Sequence, residues 1–319
     1  MKKTVKTNEA NNKMHVVNHL SVKKGMSVNE LVKAMEGVGV LGSKRIATAC
    51  NIMEAMIKDK DCTVFLGCAG PLVPGGMKNI LIDMMEKKLV DVFVTTGATL
   101  THDMAEALGY HHFQGSAAVD DAELNKKHID RIYDSYMPND VYEGIEDFFN
   151  KHLVAFEKQM NIREFTEKIG ELLPAGKKSI LKTAYEQKIP IFCPALADSG
   201  IGLMIWGLLA KGKKINVDAF DDLKDILNIA WDCKKAGVIY VGGGVPKNYI
   251  QQAMQFCPKG SSYGVQITTD REEFGGSSGA PLKEGISWGK MEYQAKRVEV
   301  ICDATIALPL LYAAVLERI

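Results

Sequence analysis

Lys290 stands two residues after Trp288 in the run Glu284-Gly285-Ile286-Ser287-Trp288-Gly289-Lys290. The run lies just downstream of the small-residue loop Gly275-Gly276-Ser277-Ser278-Gly279. Lysine in water is a poor nucleophile, because with a side-chain pKa near 10.4 only about one in a few thousand is neutral at pH 7. An apolar wall disfavours the ammonium form and lowers that pKa. A lysine placed in this way becomes an amine able to form an imine. The same spacing also fits a surface lysine beside a strand.

Glycine-rich turns supply the second kind of chemistry. Val241-Gly242-Gly243-Gly244-Val245-Pro246-Lys247 follows an apolar run and leads into Asn248-Tyr249-Ile250, which reads as a helix start. Glycine allows close backbone approach to a phosphate, and a helix amino end adds unpaired N–H groups with partial positive charge. The run is neither G-x-G-x-x-G nor a Walker A sequence, so a tight turn without a ligand fits it as well. Thr95-Thr96-Gly97-Ala98 and Ala69-Gly70-Pro71-Leu72-Val73-Pro74-Gly75-Gly76 have the same character. Asp198 and Asp303 are placed either to accept hydrogen bonds from ribose hydroxyls or to act as turn and cap residues.

These turns need strands to carry them. Short apolar runs at 62–66, 90–96, 189–193, 237–241 and 298–302 read as strands, each ending in a small or polar residue. Amphipathic stretches such as 221–236 lie between them and read as helices. Ser27 with Glu30 forms a capping box before Leu31, Met35 and Val38. Asp140 with Glu143 is a second box candidate, and Phe148, Phe149 and Phe156 are expected in the core. Continuous apolar strands alternating with helices imply an α/β fold, a mostly parallel sheet covered on both faces. Ligands of such sheets bind beyond the carboxyl ends of the strands. Residues 1–26 read as a polar N-terminal extension and 27–319 as a single domain.

Composition narrows the function classes. The 319 residues contain 39 Lys+Arg and 39 Asp+Glu, which balance to zero net charge and argue against a nucleic-acid or polybasic membrane surface. Seven scattered cysteines without a C-x-x-C pair suggest free thiols, and no zinc spacing is present, so no metal is expected. The N-terminal residues lack the apolar run of a signal peptide, and Ile201–Ala210 is too short to span a bilayer. A cytoplasmic location is the expectation.

In this order the segments resemble the deoxyhypusine synthase family. The residues that carry the resemblance are Phe65-Leu66-Gly67, Val90-Asp91-Val92 through Thr95-Thr96, Pro194-Ala195-Leu196 with Asp198, Gly242-Gly243-Gly244, Glu284 with Ser287-Trp288-Gly289-Lys290, and Asp303-Ala304. The resemblance implies a Rossmann-like, doubly wound fold that binds NAD. It also implies a homotetramer whose active sites lie at a dimer interface, with residues from both subunits. The implied reaction takes hydride from a carbon beside an amine of spermidine, passes an aminobutyl group to the active lysine as an imine, transfers it to a lysine of a translation factor, and returns the hydride. Lys290 is then the nucleophile. Glu284 and Trp288 line the amine pocket with Gly275, Gly276, Ser277, His102 and Asn248. NAD contacts are implied at Gly70, Pro71, Leu72, Val73, Pro74, Thr96, Gly97, Ala98, Asp198, Gly243, Thr269, Asp270, Asp303 and Ala304.

The chain departs from the pattern where the family holds a polyamine. Two adjacent glutamates are replaced by Thr101-His102, and an aspartate by Leu203. A second aspartate is replaced by Ser277, and a histidine by Asn248. Each lost charge-assisted hydrogen bond removes about 1.5–3 kcal/mol of binding. The expectation is the same imine chemistry on a different amine donor or acceptor, with His102 as a proton carrier or as an ordinary surface histidine. Two alternatives are a true deoxyhypusine synthase that uses spermidine and a protein lysine, and a catalytically silent NAD-binding protein. His111 and His112 read as ordinary loop residues.

Overall fold

The computed structural model describes residues 15–156 and 158–319. Of the expected polar extension, residues 1–14 lie outside the described residues, and residues 15–26 carry no helix or strand.

The strands are β1 Cys62–Cys68, β2 Val92–Thr95, β3 Phe113–Gln114, β4 Ile129–Ile132, β5 Ser135–Pro138, β6 Met160–Asn161, β7 Ile191–Phe192, β8 Val217–Asp218, β9 Lys235–Val241, β10 Ser261–Thr268 and β11 Met291–Ile301. Six of them form the central sheet in the order β11-β10-β9-β1-β2-β7, with every neighbouring pair parallel. The remaining strands make a three-stranded antiparallel sheet, β3-β5-β4, and the short pair β6-β8. The chain runs outward from β1 through β2 to β7, then crosses to β9 on the other side of β1. The order therefore reverses between β1 and β9, the place where sheets of this kind form a ligand crevice beyond the carboxyl ends of the strands.

The helices are α1 Val28–Val38, α2 Leu41–Lys58, α3 Lys78–Glu86, α4 Gly97–Ala107, α5 Asp121–Lys126, α6 Asp140–Lys151, α7 Ile162–Leu172, α8 Ile180–Gln187, α9 Gly200–Ala210, α10 Ala219–Asp232, α11 Gly244–Met254 and α12 Ala304–Leu316. Their starts follow local chemistry. Ser27 and Glu30 close the expected capping box, with Glu30 N–H donating to Ser27 Oγ at 3.2 Å and Ser27 N–H to Glu30 Oε2 at 2.7 Å. The box expected at Asp140 is not formed, because Asn139 is the cap residue, adopts a helical conformation and gives no side-chain bond. Asp103, fully buried on α4, accepts from Ser179 Oγ, Ile180 N and Leu181 N and so fixes the start of α8.

Buried side chains collect on both faces of the sheet. One cluster joins α2, α3, α4, α8 and α12, and the other joins α10 and α11. Phe148, Phe149 and Phe156 are buried in the first, where Phe149 stacks on Phe165 at 5.9 Å. α9 behaves differently. It is apolar nearly throughout, yet Leu203, Trp206 and Leu209 are exposed. No helix among the described residues is long and apolar enough to cross a membrane.

Candidate active site

Two groups of residues emerge. The first surrounds the crevice at the switch point. Thr96 caps α4 by accepting from Thr99 N at 3.4 Å. Gly97 is buried, and a side chain there would collide with Ser199 and Leu196. Ala98, Asp198, Thr269, Asp270 and Asp303 are exposed beyond the strand ends, and Ala304 is half-buried. Asp303 Oδ1 accepts from Thr305 N at 2.8 Å, which caps α12. Gly70 has φ +85° with open space around it. Pro71 is exposed and Pro74 half-buried, but Leu72 and Val73 are buried in the core, so only their backbone faces the crevice. A cleft of about 630 Å³ continues past Gln266, Thr268, Asp270, Arg271 and Glu299.

The glycine triplet corrects the picture of an open phosphate cradle. A Cβ at Gly243 would collide with Ser278, and Gly244 N–H donates to Ser278 Oγ at 2.8 Å. The absence of a side chain there admits the chain's own 275–279 loop. Lys247, which sequence reasoning left without a role, holds that loop in place. Its Nζ donates to Gln266 Oε1 at 2.9 Å, Ser277 O at 2.7 Å and Ala280 O at 2.6 Å, and the residue is 4% exposed. Burial pushes its pKa down to about 8, against the pull of the Glu299 and Glu284 carboxylates. Gly275, Gly276 and Ser277 in the loop are exposed, as is Asn248 at the start of the second turn of α11.

The second group is Glu284, Trp288 and Lys290. A 3-10 turn over Leu282–Ile286 carries Glu284 and leads into the bend that carries Trp288 and Lys290. Lys290 N–H donates to Gly285 O at 2.8 Å, and Gln255 Nε2 donates to Trp288 O at 3.3 Å. Lys290 is half-buried, with Nζ 4.9 Å from the centre of the Trp288 ring. Glu284 is exposed and, among the described residues, forms no ion pair with Lys290. Trp288 is itself 60% exposed. The water exclusion expected around an imine-forming lysine is therefore only half built by these residues.

Lys290 and Trp288 lie at the opposite end of the sheet from the crevice, whereas Glu284 stands near enough to Lys247 to act on its charge. Lys290 O accepts from Ser261 N where β10 begins, and Cys302 N donates to Thr268 O where it ends. Those anchor points on β10 are about 23 Å apart at a strand's usual rise. One lysine side chain does not bridge that span.

His102 belongs to a further arrangement. Lys78 Nζ pairs with Glu106 Oε2, His112 Nδ1 lies 2.7 Å from Glu106 Oε1, and His112 Nε2 lies 3.0 Å from His102 Nδ1. His111 is exposed, as expected of a loop residue, but His112 is not one: its side chain is only 7% exposed. The signal in the sequence was the spacing of His102 and Glu106, four apart and on one face of α4.

Comparisons with known proteins agree with this architecture. The family profile described as deoxyhypusine synthase matches residues 30–315. The Methanosarcina acetivorans protein named "Probable deoxyhypusine synthase 1" is 44% identical over 295 residues, covering 92% of each chain. An Archaeoglobus fulgidus protein of the same name is 41% identical over 93% of this chain and 96% of its own. A crystal structure from Entamoeba histolytica, assigned as a deoxyhypusine synthase, superposes with a TM-score of 0.61 at 20% identity over 91% of this chain and 93% of its own, a likeness of fold. A central parallel sheet of this order, matched along nearly its whole length by relatives of this kind, places the chain in the deoxyhypusine synthase family.

Proposed function

We propose that the chain is an NAD-dependent transferase that moves an aminoalkyl group from a polyamine-like donor to an amine acceptor through an imine on Lys290, with no net redox change. The observation that carries the reading is the Lys290–Trp288 pair at 4.9 Å, held apart from the glycine-lined crevice by the length of β10 and β11. A half-shielded lysine on one chain and a nucleotide crevice on another together make one complete site. The exposed apolar residues of α9 support a face covered by a second copy, in a homotetramer built from dimers.

NAD, when bound, supplies the hydride acceptor and returns the hydride at the end. Its fit rests on the open space at Gly70, the α4 amino end at Thr96, and the Asp303 carboxylate, whose Oδ2 is left for a ribose hydroxyl. Leu72 and Val73 contribute backbone only. The indole face of Trp288 holds a cationic amine, and its bulk keeps water from the imine. Glu284 supplies the carboxylate for a second donor nitrogen.

Lys290→Ala should abolish both transfer and the borohydride-trapped adduct. Mixing that variant with an Asp303→Ala chain should restore activity if each site draws on two chains. Retained activity in Lys290→Ala removes the imine reading, and failure of the mixture to recover removes the shared site. The names of the relatives favour a second, narrower reading, in which the donor is spermidine and the acceptor a protein lysine, as in deoxyhypusine synthesis. Release of 1,3-diaminopropane from spermidine tests it.

A further inference from the structure

We propose that Gln251 and Gln255 on α11 are positioning residues that hold the Lys290 amine over the face of Trp288. The role of that amine rests on the transferase reading, whereas the contacts that hold it do not.

The bend that carries Trp288 and Lys290 closes on one carbonyl. Gly285 O accepts from Lys290 N at 2.8 Å and from Trp288 N at 3.3 Å. Lys290 O accepts from Ser261 N and from Ser261 Oγ, both at 3.1 Å. These bonds tie the bend to itself and to β10, and none of them fixes its distance from α11. The two glutamines do that. Gln251 lies in the last turn of α11 and Gln255 is its carboxyl cap, a spacing of four that puts both side chains on one face of the helix. Gln255 Nε2 donates to Trp288 O at 3.3 Å.

Gln251 acts from beneath the bend. It is 7% exposed, and its Nε2 donates at 2.9 Å to the Oη of Tyr240 on β9, a residue with no surface in solvent. A buried amide needs such a partner, and here the bond also fixes the amide plane. Oε1 then faces Gly285. A Cβ built on Gly285 would lie 3.1 Å from that oxygen and 3.6 Å from Lys290 Cβ. The glycine is therefore a thin layer between the amide and the lysine, and the amide sets where the lysine stands. A displacement of about 1 Å at a reacting group costs up to about a hundredfold in rate. Lys290 Nζ is 4.9 Å from the ring centre, and a cation–π contact reaches only to about 6 Å, so the pair has about that much to lose.

The test separates placement from chemistry. Gln251→Met and Gln255→Met keep the length of each side chain and remove its hydrogen bonds. Tyr240→Phe releases the Gln251 amide without touching the bend. In the first arm, hydrogen exchange is followed at the Trp288 and Lys290 amides, both bonded to Gly285 O. Relative to the amides of β1 it should quicken by about three- to tenfold in all three variants, the worth of one net hydrogen bond. An unchanged ratio in either glutamine variant overturns the proposal. In the second arm, butanal condenses with the Lys290 amine, water leaves, and cyanoborohydride reduces the imine, all without NAD or a donor amine. Peptide mass spectrometry measures the adduct. The trapping rate per folded chain should fall by about three- to tenfold in Gln251→Met and Tyr240→Phe, while that of exposed Lys259 stays the same. A merely structural role lowers the folded fraction, which urea unfolding measures, and leaves the rate per folded chain at the parent value; that result overturns the proposal. If Lys290 of the parent reacts no faster than Lys259, the transferase reading fails instead, and the exchange arm still decides the placement.

Discussion

Lys247 Nζ and the Ser277 carbonyl meet at 2.7 Å, joining the first turn of α11 to a loop thirty residues further along the chain. Gln266 and Ala280 complete the acceptors of a single ammonium. Lys247→Met should leave three oxygens without this donor, that of Gln266 fully buried. The expected loss is about 2–4 kcal/mol of stability. Urea unfolding measures it, and a KM increase larger than the kcat decrease would show the loop moving with it.

Trp288→Ala should separate activity from folding. The ring is 60% exposed, so stability should change by no more than about 0.5 kcal/mol. Transfer and trapped adduct should fall by about tenfold or more, because the ring lies 4.9 Å from the Lys290 amine. Unfolding curves that superpose, alongside unchanged adduct yield, would remove Trp288 from the site.

Gly243→Ala should displace the 275–279 loop, since the added methyl would meet Ser278. Ser278→Ala loses the hydroxyl that caps Gly244 N–H, at a cost of about 1 kcal/mol, while leaving the space intact. The glycine variant should be the more damaging of the two in both thermal stability and donor-amine KM.

Asp222 sets a pH dependence remote from the proposed chemistry. It is fully buried, Oδ1 accepts from Arg163 N at 2.8 Å, and Oδ2 has no partner among the described residues. Burial first, then the neighbouring Asp225, raise its pKa to about 7, while the Arg163 amide and guanidinium oppose the shift. The native state therefore holds this proton more tightly than the unfolded chain. Its stabilising contribution is complete below about pH 4 and is lost as pH rises to about 7. Asp222→Asn should flatten that slope and exceed the parent in stability at pH 8 by about 1–3 kcal/mol, measured by urea unfolding at pH 5 and pH 8.

The sequence showed some of these parts better than others. β1, β2 and β9 are continuous apolar runs buried on both faces, so their composition betrays them. β10 was missed because Ser261-Ser262-Tyr263-Gly264 mixes polar and small residues and carries a register shift against both neighbours. The amino-terminal half of β11 was missed for a related reason: Tyr293, Gln294 and Lys296 are exposed on the sheet's edge. The β4–β5 pair, between the helices α5 and α6, was not read from the sequence because its polar faces imitate a loop. Among site residues, Lys290 and Trp288 are close in sequence, so their contact was legible. Lys78, Glu106 and His112 are brought together by the packing of three segments, and no spacing rule announces it. Lys247 was visible as a residue but not as a buried cation, because its acceptors come from β10 and from a loop some thirty residues away.

The parallel pairing of β10 with β11 acts as a fixed ruler between the reactive amine and the crevice. Backbone hydrogen bonds along that ladder resist stretching, so no rotamer change within one polypeptide closes the gap. Under the proposed transferase reading, catalytic competence is a property of encounter between chains. Turnover per chain should decline on dilution once subunits separate, and it should recover when they are concentrated again.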